Sequence, residues 1–363
     1  MNKLLSIIVP SYNMEKYLPK CLGSLVVDDL SLLEKLDVIV VNDGSVDRTS
    51  EIAHDFATRY PSVFRVIDKP NGHYGSCINA ALPTAQGKYV RLLDADDYVK
   101  TTGLKDFLLA IANVTADVIV AECVRVNPAG DEERNSTIEC LPPREVVSIN
   151  QLKDERFLPL SIISYNRKLF EGDWYRQLEG IQYTDCQWSA EPMLRASTMY
   201  YVPEVVSCYL IGRDGQSMNR AVRLKCIGQQ MQVDLRLAQV HCAGRAAGVA
   251  DGAWAYFKRL YLSELAIIYS LGIIGNDAGR YPRDILKKFD CDLNKADPIG
   301  YDEVKDCNYA TIIYGRSFTF KYVQSYRNEP WFVLRSRCLI YKVYVRVRLF
   351  IGKCCKKCGF WAS

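Results

Sequence analysis

Residues 89–98 read Tyr-Val-Arg-Leu-Leu-Asp-Ala-Asp-Asp-Tyr, an apolar run that leads directly into three carboxylates. A strand that ends in Asp-x-Asp brings like charges to one edge of a sheet, which is unfavourable unless a cation or a donor-rich ligand lies between them. Taken alone, the stretch is more often an acidic turn after a strand than a binding site. The ninety residues before it decide between these interpretations, because they contain three more strands with polar ends.

The first hundred residues alternate between apolar strands and helical patterns. Strands are predicted at 4–9, 36–41, 63–67 and 88–93, and helices at 14–27, 47–59 and 74–86. Nearly continuous Val, Ile and Leu strands separated by helices are typical of a parallel sheet that is covered on both faces. Ligands of such sheets bind at the carboxyl ends of the strands. The sequence therefore predicts an α/β fold with a binding crevice at one edge of its sheet.

A polar cluster follows each of these four strands. The clusters are Pro10-Ser11-Tyr12-Asn13, Asn42-Asp43-Gly44-Ser45, Asn71-Gly72-His73-Tyr74-Gly75-Ser76 with Asn79 one turn further, and Asp94-Ala95-Asp96-Asp97. Because the carboxyl ends of parallel strands meet at one edge, we expect all four clusters to line the same crevice. Beyond residue 222 the pattern is mainly helical and carries no comparable motif.

These motifs resemble those of inverting glycosyltransferases of family 2, which have the GT-A fold. The similarity covers residues 5–125 closely and continues at Tyr183-Thr184-Asp185 and at 209–217. It implies a Rossmann-like, mostly parallel sheet and a metal-dependent transfer of a sugar from a nucleotide-sugar. The family pattern implies that this donor is a UDP-sugar. The acceptor would be a carbohydrate or lipid-linked molecule in cell-surface polysaccharide synthesis. The Gln-x-x-Arg-Trp pattern of processive members is absent from the sequence, which favours addition of a single sugar.

The strand ends offer residues for a nucleotide. Asp43 can accept the N3–H of uracil, and Tyr12 can stack on the base. A helix N-cap and a rim aromatic are the alternatives for these two residues. Asn71 and Asn79 are expected to hold ribose or base edges, and Gly72 permits close backbone approach. The resemblance implies further donor contacts at Pro10, Asn13, Ala95 and Arg213.

The Asp-x-Asp pair suits Mg²⁺ or Mn²⁺ bridging the donor phosphates, because such cations take few protein carboxylates together with phosphate oxygens. A cation there would stabilise the departing nucleoside diphosphate. The resemblance makes Asp96 the direct ligand and turns Asp94 towards the ribose and sugar. Asp97 either faces the sugar or caps the next helix, and Arg213 would reach the diphosphate.

Inversion in one step needs a base that removes the proton of the acceptor hydroxyl. The family commonly places Glu-Asp at the start of the helix after the acceptor region, and here this pair reads Thr184-Asp185. We therefore assign Asp185 as the base, with a plain helix N-cap as the alternative. Trp188, one turn further, either stacks on an acceptor sugar or packs in the core.

Composition limits the partners. The chain has 363 residues, 49% of them hydrophobic, and a net charge of +4, which describes a globular protein and does not indicate nucleic acid. Residues 331–363 carry eight Lys or Arg and no Asp or Glu. Their helical wheel places basic residues opposite apolar ones, which predicts an interfacial helix on an anionic membrane surface. A charged helix packed on the catalytic domain is the alternative.

No uncharged apolar run reaches the roughly 18 residues of a membrane-spanning helix, and the chain shows no secretory signal. We therefore expect a cytoplasmic protein, peripheral on the inner face of the plasma membrane. The expected organisation is a GT-A catalytic domain at 1–220, with a nucleotide-binding half at 1–100 and an acceptor-binding half at 101–220, a helical extension at 221–330 and a membrane-associating tail at 331–363.

Two other functions stay open. A nucleotidyltransferase would have a similar sheet, but it would want a Gly-rich, Arg-containing phosphate loop after the first strand. A catalytically weak, membrane-bound scaffold of the same fold is the other alternative, since the acid that commonly precedes Asp185 is missing.

Overall fold

The computed structural model of the chain describes residues 2–134, 138, 140–154, 158–213, 216, 219–274, 283–306, 322–330, 332–334, 336 and 339. The chain divides into two compact units, Met1–Tyr261 and Leu262–Ser363. Helix Arg220–Cys242 therefore belongs with the first unit, whereas the sequence pattern drew a boundary at residue 220. The functional halves at 1–100 and 101–220 stay a prediction.

Ten strands of the described residues form one sheet in the first unit. They are β1 (Leu5–Ser11), β2 (Leu36–Asp43), β3 (Phe64–Lys69), β4 (Tyr89–Leu92), β5 (Tyr98–Val99), β6 (Val118–Val126), β7 (Glu132–Arg134), β8 (Val146–Ser148), β9 (Ile163–Asn166) and β10 (Thr198–Leu210). The main order is β3-β2-β1-β4-β9-β6-β10-β5, with β7 beside β6 and β8 beside β10.

The first four strands are parallel neighbours, as their apolar composition predicts. Strands β1 and β2 are buried at every position, because helices cover both faces of this part of the sheet. Strand β9 runs antiparallel between β4 and β6. Strand β10 joins the two apolar segments 198–202 and 205–211 into one strand, with register shifts near Val205. The mostly parallel sheet of the GT-A fold is confirmed.

The helices of the described residues are α1 (Leu18–Ser24), α2 (Leu30–Leu33), α3 (Thr49–Arg59), α4 (His73–Ala81), α5 (Thr101–Ile111), α6 (Asp185–Ala190), α7 (Arg220–Cys242), α8 (Asp251–Tyr269), α9 (Arg283–Ala296), α10 (Pro298–Glu303) and α11 (Tyr322–Asn328). Leu18, Leu22, Leu104 and Leu108 bury one side of α1 and α5 in the core of the first unit. Helix α1 is shorter than the predicted 14–27, since a turn precedes it and Pro19 lies in its first turn.

The described residues of the second unit are mainly helical, as predicted for this part of the chain. Arg327 on α11 connects three of its elements: Nε donates to Asp290 Oδ1 (2.9 Å) on α9, Nη2 donates to the Tyr269 hydroxyl (2.9 Å), and the guanidinium lies 3.4 Å from the centre of the Tyr301 ring. A charged hydrogen bond inside this aromatic cluster fixes the helices more specifically than apolar contact would.

None of the helices in the described part of the chain is long and apolar enough to cross a membrane. The basic tail at 331–363 lies outside the described residues except for 332–334, 336 and 339. Its interfacial helix stays a prediction.

Candidate active site

Four polar clusters lie at the carboxyl edge of the sheet. Strands β1 to β4 are parallel neighbours, so their carboxyl ends open on the same side. The residues that follow these ends are those of the four sequence motifs. The structure therefore brings together clusters that are separated by up to about eighty residues along the chain.

Asp43, the last residue of β2, is held from two sides. Its Oδ1 accepts from Lys69 Nζ (2.6 Å) and from the Gly72 N–H (2.9 Å), and only 4% of its side chain is exposed. Asn71 Nδ2 donates to the Asp43 carbonyl (3.0 Å). Gly44 has a φ of 71°, and a Cβ there would lie 2.8 Å from the Asn71 nitrogen. The glycine is thus required for β2 and the turn after β3 to meet around the carboxylate.

The turn after β1 presents an aromatic ring. Tyr12 is 48% exposed, whereas Pro10 is a buried position of β1 opposite Val41. Asn13 has a φ of 54°; its N–H donates to Ser45 Oγ (3.0 Å) and its Oδ1 accepts from the Val46 N–H (3.0 Å). The turns after β1 and β2 are therefore fastened together, with an exposed ring beside Asp43's strand that can take a planar base.

The carboxylates after β4 are in close electrostatic contact. Asp94 Oδ1 accepts from the Tyr74 hydroxyl (2.9 Å), and Asp96 pairs with Arg213. Burial, and next the charge of Asp96, raise the pKa of Asp94 above its usual range. The Tyr74 hydrogen bond and Arg213 act in the opposite direction. Two carboxylates that repel each other in a crevice form a site that a cation would stabilise.

Asp97 has a different place from the two carboxylates before it. It is 3% exposed, and its Oδ1 accepts from the Leu210 N–H of β10 (2.8 Å). Burial raises its pKa well above the usual range, and Asp94 and Asp96 add to the effect. Asp97 thus anchors β10 instead of facing a sugar, which corrects its assignment as an acceptor contact. Ala95 is also buried, at 2% exposure.

Asp185 is the first residue of α6 and keeps part of its side chain exposed. Burial raises its pKa, whereas backbone N–H groups and the nearby Arg223 lower it. The charge of Asp185 in turn raises the pKa values of Asp94 and Tyr74. Because such effects act over short distances in a partly buried site, the candidate base and the Asp-x-Asp motif share one crevice.

Asn79 holds a loop of the protein. Its Nδ2 donates to the Gln177 carbonyl (2.9 Å) and to Glu179 Oε1 (2.8 Å), and its Oδ1 accepts from the Gln177 N–H (2.9 Å). Both amide hydrogens are thus used within the chain. The contact of Asn79 with ribose or base stays a prediction.

The loop that Asn79 holds leads to the candidate base. The Gly180 N–H donates to the Gly72 carbonyl (2.8 Å), and a Cβ on Gly75 would lie 2.0 Å from the Leu178 carbonyl oxygen. The Leu178 N–H donates to Gln187 Oε1 of α6 (2.9 Å). Helix α4, which follows β3, is therefore connected through residues 177–180 to the helix that begins at Asp185.

Trp188 is fully buried. Its ring stacks on Phe170, with centroids 5.2 Å apart and planes 12° apart, and meets the edge of Tyr165 at 5.2 Å. No face of the indole is left for a sugar, so the core position is the correct one of the two interpretations and the acceptor contact is wrong.

Several residues of the crevice were missed in the sequence. Lys69 ends β3 and looks like an ordinary surface residue, and Arg223 lies on α7 outside every motif. Tyr74 lies inside the Asn-Gly-x-x-Gly motif, but only the fold turns its hydroxyl to Asp94. Four described residues other than glycine have a positive φ, and three of them are Asn13 (54°), His73 (64°) and Tyr183 (67°). Backbone of this kind clusters at functional sites.

The chemistry of the crevice suits a hard cation only in part. Asp94 and Asp96 supply carboxylate oxygens, which Mg²⁺ and Mn²⁺ prefer. Among the residues that the structure describes, no group of three or more His, Cys, Asp or Glu side chains is arranged to hold a metal. A cation held here would thus depend on a ligand for further oxygens, as donor phosphates would provide.

Comparisons with known proteins agree with this geometry. Residues 6–174 match the family model described as "Glycosyl transferase family 2". The "Uncharacterized glycosyltransferase EpsJ" of Bacillus subtilis (strain 168) is 44% identical over 101 residues, which cover 28% of this chain and 28% of that protein. The "Poly(ribitol-phosphate) beta-N-acetylglucosaminyltransferase TarS" of Staphylococcus aureus (strain Mu50) is 29% identical over 217 residues, or 60% of this chain and 37% of TarS. These matches span well under two thirds of either relative.

Solved structures show the same fold. The crystal structure of S. aureus TarS 1–349 in complex with UDP aligns with a TM-score of 0.61 at 20% identity, covering 89% of this chain and 91% of that one. The GT-A architecture of this chain is thus shared with TarS.

Proposed function

We propose that this chain, whose residues 6–174 match the model of glycosyl transferase family 2, transfers one sugar from a UDP-sugar to a hydroxyl group of a carbohydrate acceptor, with inversion at the anomeric carbon. The observation that carries the proposal is that helix α4, whose Tyr74 hydroxyl donates to Asp94, is connected through residues 177–180 to the helix that begins at Asp185. The charges of Asp96 and Asp185 both raise the pKa of Asp94. A donor site and a base are the two parts that a single displacement needs.

The exposed ring of Tyr12 and the carboxylate of Asp43 support a uracil site. A stacked base would present its N3–H as a donor, and a carboxylate fixed by Lys69 and Gly72 is an acceptor that needs no rearrangement of its own. Asn71, which closes the turn on Asp43, shapes the same site. The TarS structure with UDP lends support from a relative that has the same fold.

Asp94 and Asp96 would hold Mg²⁺ or Mn²⁺, which when bound would neutralise charge on the diphosphate leaving group. Arg213 is paired with Asp96. Its guanidinium is suited to two phosphate oxygens at once, so it can exchange a carboxylate for the donor diphosphate within the same crevice.

Asp185 would act as the general base. The acceptor oxygen attacks the anomeric carbon and forms the new C–O bond, the bond from that carbon to the diphosphate oxygen breaks, and the acceptor's proton goes to Asp185. Burial raises the pKa of Asp185 and so makes its carboxylate a stronger base than an exposed aspartate, while Arg223 acts in the opposite direction. UDP leaves with the electrons of the broken bond.

The acceptor is proposed from the relatives and from the basic tail. The name of TarS points to N-acetylglucosamine and a phosphate-containing polymer for that relative. For this chain we propose a hexosyl or N-acetylhexosaminyl transfer in cell-surface polysaccharide assembly, with the basic tail holding the enzyme at the cytoplasmic membrane surface beside a lipid-linked acceptor.

The test is calorimetric titration of the full chain with UDP, with and without Mn²⁺. We expect binding that Mn²⁺ strengthens and that Asp96→Ala weakens, whereas Asp106→Ala, an exposed aspartate on α5, leaves it unchanged. Screening UDP-sugars for acceptor-dependent release of UDP then identifies the donor.

Other outcomes have distinct meanings. Binding of GDP or dTDP but not UDP would contradict the role of Asp43. UDP binding without turnover of any sugar donor would favour a scaffold that has kept the fold. No nucleotide binding at all would remove the enzyme assignment.

A further inference from the structure

A recess of about 750 Å³ opens at the amino edge of the sheet, opposite the acidic crevice. Five cationic side chains line it: Lys3, Lys35, Lys88, Arg167 and Lys168. The other residues of its wall are neutral, among them Gln86 and Asn113, and no carboxylate is part of this wall in the described chain. A cavity lined by five like charges is unusual, since like charges are costly to gather without a partner.

The fold itself gathers these cations. Strands β1, β2 and β4 begin at this edge, and the antiparallel β9 ends there. Backbone hydrogen bonds link the segments in a row: the Leu4 N–H donates to the Lys35 carbonyl (2.8 Å), the Lys88 N–H to the Lys3 carbonyl (3.1 Å), and the Arg167 N–H to the Lys88 carbonyl (2.9 Å). The spacing of the cations is therefore built into the sheet.

Main-chain carbonyls hold several of these side chains. Lys3 Nζ donates to the Glu34 carbonyl (3.0 Å), Lys88 Nζ to the Val114 carbonyl (2.6 Å), and Arg167 Nε to the Gly87 carbonyl (3.2 Å). None of the ion pairs between described residues includes one of the five cations. Carbonyl contacts position a cation but leave its full charge, so the recess keeps a surplus of positive charge.

Two acidic side chains act on Lys3, those of Asp37 and Glu34. Asp37 on β2 accepts from Arg65 Nε (2.8 Å) and Nη2 (3.2 Å) and from Ser6 Oγ (2.6 Å). The Asp37 carboxylate is therefore already paired with a cation that is not part of the recess wall.

We propose that this recess binds a phosphate-bearing anion, either a soluble phosphate ester or the headgroup of an anionic phospholipid. Ammonium and guanidinium groups surrounded by neutral amides are the donors that phosphate oxygens take, and the volume fits a ligand of that size. The seven residues of β1 separate the two edges by about 20 Å, so this site is distinct from the crevice and does not depend on its function.

The test compares two double variants of the full chain. Lys35→Gln with Lys168→Gln removes two charges of the recess whose side chains make no hydrogen bond among the described contacts. Lys287→Gln with Lys295→Gln removes two exposed charges of α9 and is the matched control. Each protein is titrated calorimetrically with inorganic pyrophosphate and sedimented with vesicles of phosphatidylcholine, alone or mixed in equal parts with phosphatidylglycerol.

We expect the recess variant to bind one probe about 30-fold more weakly than the control, since each basic residue contributes about fivefold near an anionic surface. Loss of pyrophosphate binding assigns a soluble phosphate, and loss of sedimentation only with phosphatidylglycerol assigns a lipid headgroup. The basic tail is the same in both proteins and cancels from the comparison. Equal behaviour of the two variants towards both probes would overturn the proposal.

Discussion

The two edges of one sheet hold the cations of their sites in different ways, although Asp37 and Arg65 form a side-chain ion pair at the amino edge as well. At the carboxyl edge charged side chains pair with each other, as Asp43 does with Lys69 and Asp96 with Arg213. At the amino edge Lys3 and Lys88 are held by main-chain carbonyls. The direction of the parallel strands underlies this difference between the edges. Helices α3 and α4 begin at the carboxyl edge, where their first N–H groups are free, whereas α5 ends at the amino edge.

The difference teaches how each edge meets a ligand. A side-chain ion pair can open and exchange partners, as Arg213 would between Asp96 and a diphosphate. A lysine that donates to a backbone carbonyl does not have to separate from a carboxylate first, so it attracts an anion directly. The carboxyl edge is therefore suited to binding and releasing ligands during catalysis, and the amino edge is suited to keeping an anion bound.

The largest effect is expected from the base. Asp185→Asn should lower kcat for sugar transfer by about a thousandfold, since an amide cannot accept the proton, while the Kd for UDP stays unchanged. Steady-state kinetics and calorimetry measure the two. Asp173→Asn, an exposed carboxylate, is the control and keeps activity. Full activity in Asp185→Asn would break the assignment of the carboxyl edge to catalysis.

Matched lysine substitutions sharpen the comparison of the edges. Lys69→Met leaves the buried Asp43 carboxylate without its cation and should lower the free energy of unfolding by about 3 kcal/mol. Lys35→Met, at the amino edge, removes no carboxylate partner and should change it by less than about 0.5 kcal/mol.

Urea unfolding at neutral pH measures both variants. Adding Asp43→Asn to Lys69→Met should restore most of the loss, because the unpaired charge is then gone. Equal destabilisation by the two lysine substitutions would show that the edges do not differ as described.

A glycine pair tests the connection between α4 and α6. In Gly75→Ala the new Cβ would lie 2.0 Å from the Leu178 carbonyl oxygen, so the backbone must move, at a cost of about 2 kcal/mol. Residues 177–180 move with it, and kcat should fall as well. Gly23→Ala is the control: nothing lies within 4 Å of its Cβ, and alanine favours the helix. Thermal unfolding and kinetics of both variants decide this.

The smallest effect is a shift in pH dependence. Burial raises the pKa of Asp185, so kcat/KM should fall as the pH drops through a value above the ordinary aspartate pKa of about 3.9. Arg223 lowers this pKa, hence Arg223→Gln should move the acidic limb to higher pH. Arg59→Gln on α3 should leave it in place. A downward shift in Arg223→Gln would contradict the stated sign.

The local sequence pattern predicted the strands whose residues are apolar along their whole length. Continuous Val, Ile and Leu runs identified β1 to β4, and their parallel order follows from the helices between them. Strand β9 lies in a stretch that the sequence pattern left irregular, because its four residues become a strand only by pairing with β4 and β6. The apolar pattern of β10 is interrupted near Val205, where the register of its pairing with β6 shifts.

The candidate site divides in the same way. Motif residues at strand ends were predicted where their position alone brings them to the crevice, as for Asp43 and Asp94. Direction of a side chain was not predictable, so Trp188 turned out buried and Asn79 holds a loop. Lys69 and Arg223 could not be found from sequence, because their partners lie 26 residues or more away or on other elements.

Tyr183 carries its left-handed φ of 67° immediately before Thr184 and Asp185, with the Arg223 guanidinium 5.8 Å from the centre of its ring. Glycine adopts this conformation freely, whereas for tyrosine it costs about 1 kcal/mol or more. Directed evolution for heat resistance alone would therefore favour glycine at 183. The same change would make the position of the candidate base Asp185 less fixed. A library in which Tyr183 is held constant would separate selection for stability from selection for activity.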